Sequence, residues 1–111
     1  MYYKRNEPFR FVFNQPLSGE LIFQNEKKQI SIHDISLNGM KIEMTEKVNR
    51  FASVTLSYSI LNNSFSREGK IVWMNDYGSY VQCGVQFEED GDYQQQLVDT
   101  LKEMAKKQKE R

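Results

Sequence analysis

Histidine and cysteine are almost missing from this 111-residue chain, which has only His33 and Cys83. Without a Cys-x-x-Cys or His-x-x-x-His pair, neither a structural zinc site nor a catalytic metal triad has its ligands. One cysteine cannot close an internal disulfide, so a reducing compartment, the cytoplasm, is expected. Two prolines and six glycines are too few for a low-complexity linker. Charge of either sign is not in excess: 15 Lys and Arg balance 15 Asp and Glu. That balance argues against a nucleic-acid track or an anionic membrane as partner. No apolar run approaches the roughly 20 residues of a membrane span. Nothing at the N-terminus reads as a basic segment followed by an apolar export signal. No glycine-rich phosphate loop follows a strand, so nucleoside triphosphate chemistry has no cradle.

Bulky side chains are plentiful, with seven Phe and six Tyr, enough to fill one compact core. From Ile30 to Phe87 the dominant pattern is alternation, the mark of strands with one buried face. Met40, Ile42 and Met44 alternate with Lys41 and Glu43. Val54, Leu56, Tyr58 and Ile60 alternate with Thr55, Ser57 and Ser59. Val81, Cys83, Val85 and Phe87 share one face. With strands at Gly19–Phe23, around Ile30 and over Phe65–Met74, the pattern predicts about six antiparallel strands. Turn chemistry falls at Leu37-Asn38-Gly39, Leu61-Asn62-Asn63-Ser64 and Asn75-Asp76-Tyr77-Gly78. The period then changes to 3.6: Tyr93, Leu97, Leu101 and Met104 predict a closing amphipathic helix, capped by Asp90 or Asp92.

Catalytic readings run out of residues. Cys83 is in phase with Val81, Val85 and Phe87, which makes it a core residue rather than a nucleophile partnered by His33. The carboxylates Glu88, Glu89, Asp90 and Asp92 sit together at the strand-to-helix junction, where capping explains them. No enzymatic activity is expected.

Two segments ask for more than a structural explanation. In Lys4-Arg5-Asn6-Glu7-Pro8-Phe9-Arg10, three cations gather in a chain that is otherwise neutral, and Pro8 stiffens the backbone between Arg5 and Arg10. In Asp34-Ile35-Ser36-Leu37-Asn38-Gly39, a carboxylate, a hydroxyl and a glycine meet at a strand end. Each alone is compatible with a solvated tail or an ordinary hairpin turn.

Together these segments resemble the recognition pattern of the PilZ family, an N-terminal RxxxR followed by [D/N]xSxxG. Asp34, Ser36 and Gly39 fill every fixed position of the second motif. The resemblance covers the whole chain, including the strand Gly84-Val85-Gln86-Phe87 before the last helix. It implies a mainly β fold, a six-stranded antiparallel PilZ-type β-barrel with a C-terminal α-helix. One domain is expected over 1–111: an N-terminal ligand-binding segment at 1–13, the barrel at 17–88 and the helix at 91–108. The implied function is that of a cyclic di-GMP receptor or adaptor, without a cofactor, signalling to a downstream protein partner. The family's usual outputs are bacterial motility, adhesion, exopolysaccharide production or virulence. The implied ligand residues are Arg5, Asn6, Arg10, Asp34, Ser36 and Gly39. If Arg10 is the second arginine of RxxxR, the first position holds Asn6, with Arg5 one residue early. Three alternatives follow: Arg5 takes that place, Asn6 makes a weaker neutral contact, or the domain is a degenerate interaction module that does not bind the nucleotide. The expected mechanism is a N-terminal segment that orders across the barrel when the ligand binds.

Overall fold

A computed structural model describes residues 10–49 and 51–109. Six strands come first: β1 (Arg10–Phe23), β2 (Glu26–Ser36), β3 (Gly39–Met44), β4 (Ser53–Ile60), β5 (Asn63–Asp76) and β6 (Val81–Phe87). One helix, α1 (Gly91–Lys109), follows. The strands pair antiparallel throughout and close a barrel in the order β1-β2-β3-β6-β5-β4. Closure removes the exposed sheet edges that would otherwise invite association.

The alternating apolar positions fill the interior. Leu21, Ile32, Ile35, Ile42, Leu56 and Ile71 are all fully buried. Cys83 is among them, and burial pushes its thiol up to about 11, far from a reactive thiolate. His33 lies elsewhere, its Nε2 2.9 Å from Glu43 Oε1, so the two are not a nucleophilic pair.

Turn chemistry explains the hairpins. Gln24 and Asn25, and then Leu61 and Asn62, adopt positive φ in consecutive pairs, as the tightest hairpins require. Leu61 is an unexpected residue there; it packs against the core from its strained position. The Leu37-Asn38-Gly39 turn instead keeps φ outside the left-handed region.

Two strands depart from simple alternation. β1 begins at Arg10, not at Gly19, and its pairing with β2 shifts register between Val12 and Leu17. β2 carries a bulge between Ile32 and Asp34 against β3. Ile30 and Ile32 point inward, so strict alternation would carry Asp34 into the core. The extra residue reverses the phase: Ile35 is fully buried, and Asp34 stands opposite Val12 and Lys41 on the outer face. Re-aiming a side chain is a recurrent use of a bulge.

The helix seals one end. Asp90 caps it, its Oδ1 accepting from the Tyr93 amide at 3.1 Å; this is the N-cap geometry and selects Asp90 over Asp92. Tyr93, Leu97 and Leu101 are buried. The Tyr58 and Tyr93 hydroxyls bond each other inside, and Asn63 Nδ2 donates to Thr100 Oγ1 at 3.3 Å. No described helix is long and apolar enough to cross a membrane.

Candidate functional site

Asp34, Ser36 and Gly39 come together with Arg10 because β1, β2 and β3 are neighbours in register. Arg10 lies opposite Ser36, and Ser36 opposite Gly39. The Arg10 guanidinium donates from Nη2 to Asp34 Oδ2 at 3.1 Å, with 61% of the Arg10 side chain exposed against 12% of Asp34. A charged fork is thus held at the surface by a carboxylate that is itself nearly enclosed. A guanidinium has five N–H donors, and the bond from Nη2 to Asp34 uses one of them on a side chain that is largely open to solvent.

The turn is rigid for identifiable reasons. Ser36 Oγ donates to the Gly39 carbonyl at 3.3 Å. A Cβ on Gly39 would meet the Val85 carbonyl oxygen at 2.6 Å. Gly39 therefore serves close backbone approach between β3 and β6 rather than a positive φ. Arg5 and Asn6 lie outside the described residues.

The register supplies several neighbours that no sequence motif marks. Residues directly opposite on adjacent strands share a face, so two outward rows cross the barrel. One runs Arg10, Ser36, Gly39, Gln86 and Lys70; the other runs Val12, Asp34, Lys41, Gly84 and Trp73. Trp73 lies across Gly84, where a Cβ would collide with its indole ring. A glycine inside the alternating strand Val81–Phe87 was the available signal of such an approach. A groove of about 660 Å³ over β4, β5 and the end of β6 shares Gln86 and Lys70 with the first row. Among the described residues no His, Cys, Asp and Glu cluster could hold a metal ion.

Asn38, inside the motif, reads in the sequence as a turn residue and in the structure does more. Its carbonyl accepts from the Phe87 amide at 2.8 Å. Its side-chain Oδ1 accepts from Gln94 Nε2, in the first turn of α1, at 2.7 Å.

A closed six-stranded antiparallel barrel, sealed by a C-terminal helix and carrying DxSxxG at the β2–β3 turn, defines a PilZ-type domain. The PilZ domain model matches residues 3–103, and the chain belongs to that family. Among solved structures it is similar to K. pneumonia MrkH in complex with c-di-GMP, with TM-score 0.72 and 18% identity over 98% of this chain and 55% of MrkH. The apo state of MrkH gives TM-score 0.66 and 18% identity over 96% of this chain and 56% of that one. The chain thus spans about half the length of the MrkH chains, and identity this low speaks to the shared fold. No curated protein sequence matches the chain.

Proposed function

We propose that this domain is a cyclic di-GMP receptor that passes the level of the nucleotide to a downstream protein in the cytoplasm. The observation that carries this reading is the Arg10–Asp34 pair at 3.1 Å, set beside Ser36 and Gly39 on one outer face. Guanine suits such a pair because it offers both of their complements. Its O6 and N7 accept from an arginine fork, while its N1–H and N2–H donate to a carboxylate. When the nucleotide enters, each partner exchanges one charge-assisted bond for another, so neither charge is left unpaired. Ser36 and the phosphodiesters make a further donor–acceptor match. The family membership and the structural likeness to MrkH, solved as a c-di-GMP complex, support the same ligand.

Arg5 and Asn6 precede Arg10 in the sequence and complete the arginine segment. In this reading, residues 4–10 become ordered over the nucleotide and form a surface for the partner. Unchanged hydrogen exchange at residues 4–10 under saturating ligand would sink that step.

Titration calorimetry with cyclic di-GMP tests the receptor reading. Wild type binds, and Arg10→Ala weakens binding about ten- to a hundredfold, the worth of one charge-assisted bond. A second reading, a degenerate interaction module, is favoured by Asn6 standing where the motif has arginine. No heat from wild type with recovery in Asn6→Arg would mean a degenerate site on an intact scaffold, and silence from wild type, Arg10→Ala and Asn6→Arg alike would favour the interaction module.

A further inference from the structure

We infer that Asn38 and Gln94 are positioning residues for this site, and that their hydrogen bond couples nucleotide occupancy of the β2–β3 turn to the first turn of helix α1. The inference rests on the receptor reading and extends it to the route by which binding is felt elsewhere in the domain.

Asn38 lies between Ser36 and Gly39, two of the proposed ligand residues, so a displacement of the turn displaces Asn38. Two bonds leave it. The backbone bond from the Phe87 amide, at 2.8 Å, holds the end of β6. The side-chain bond from Gln94 Nε2, at 2.7 Å, holds the helix. Between these anchors lies only the junction Glu88–Asp90. Arg67 on β5 clamps this junction: its Nη2 donates to the Glu88 carbonyl at 2.6 Å, and its Nη1 lies 3.8 Å from Asp90 Oδ2. The guanidinium carbon lies 4.3 Å from the Tyr93 ring centroid and 5.3 Å from that of Phe87, and those two rings meet edge to face. Asp90 in turn caps α1 through the Tyr93 amide. The junction is therefore one packed unit, and movement of Asn38 passes into the helix instead of being lost in a slack loop. Gln94 is half-buried, so its bond to Asn38 is sheltered from competing water and worth more than a fully exposed amide contact.

Coupling of this kind is reciprocal: a helix that responds to the nucleotide also tunes the affinity for it. Removing the Gln94 amide weakens cyclic di-GMP binding by roughly two- to thirtyfold, although Gln94 is not itself a ligand residue.

The full chain is measured as wild type, Gln94→Ala, Asn38→Ala and the double variant, by calorimetry, thermal unfolding and amide hydrogen exchange. In wild type, saturating cyclic di-GMP slows exchange over residues 91–97. Gln94→Ala binds two- to thirtyfold more weakly, loses that slowing, and the double variant is no weaker than Asn38→Ala alone. Binding by Gln94→Ala within twofold of wild type, or ligand-dependent slowing that persists without Gln94, overturns the inference. A ligand-free arm separates this failure from that of the receptor reading. Without nucleotide, Gln94→Ala accelerates exchange of the Phe87 amide, whose acceptor is the Asn38 carbonyl; an unchanged Phe87 rate shows that Gln94 does not position the turn. A wild type that binds no nucleotide defeats the receptor reading and the occupancy coupling with it, whatever the Phe87 rate.

Discussion

At the scale of single residues, the buried hydroxyls of Tyr58 and Tyr93 show how a polar pair is tolerated inside a small barrel. Each satisfies the other, beneath Arg67. Tyr93→Phe leaves the Tyr58 hydroxyl buried without its partner and costs roughly 1–3 kcal/mol, whereas Tyr58→Phe/Tyr93→Phe together is nearly neutral. Thermal unfolding of the single and double variants checks this ordering. The pair also sets an alkaline limit. Burial pushes the Tyr93 hydroxyl up to about 12 from 10.0, and burial, with the neighbouring Tyr93, raises Tyr58 as well. A raised pKa in the folded state means that the unfolded chain releases its protons first. The associated stability is intact below pH 10 and falls as pH rises toward about 12. Urea midpoints at pH 8 and pH 11 read that loss, and the double Phe variant loses less.

At the scale of elements, the helix is secured by its cap and its buried stripe. Asp90→Ala removes the acceptor of the Tyr93 amide and costs roughly 0.5–2 kcal/mol. Asp92, exposed in the first turn, offers only its interaction with the helix dipole, so Asp92→Ala costs less, about 0.3–1 kcal/mol. Equal losses on thermal unfolding would remove Asp90 from the cap. The helix was legible because Tyr93, Leu97 and Leu101 keep a period of 3.6 and are all buried. β3, β4 and β6 were legible because their alternation is uninterrupted. The start of β1 was not: Phe11 and Phe13 alternate with Arg10 and Val12, but Asn14-Gln15-Pro16 breaks the pattern. Pro16 has no amide to give a ladder, and the register shifts there. The bulge before Asp34 was hidden for a related reason, since a one-residue insertion leaves no mark in composition and shows only when Ile35 is found inside.

At the scale of the whole molecule, the balance of charges bears on how the nucleotide of the proposed function would arrive. With 15 charges of each sign the domain exerts no net field at a distance, and screening confines exposed charges to about 10 Å at 0.1 M salt. Attraction must come from cations beside the site. Register places Lys41 opposite both Asp34 and Gly84, in the row that ends at Trp73, and Lys41 forms no ion pair with a described residue. Its ammonium is therefore available to a phosphodiester without first giving up a partner. Lys41→Gln is expected to weaken cyclic di-GMP binding and flatten its dependence on salt, while the melting temperature stays near that of wild type, because Lys41 is half-buried on the outer face and a surface substitution of this kind changes stability by only about 0.5 kcal/mol. Trp73, the chain's single tryptophan, shares the row, so quenching of its fluorescence during titrations at low and high salt provides the measurement. Parallel salt slopes for Lys41→Gln and wild type would mean that the phosphates meet the barrel away from Lys41, closer to Lys70 in the other row.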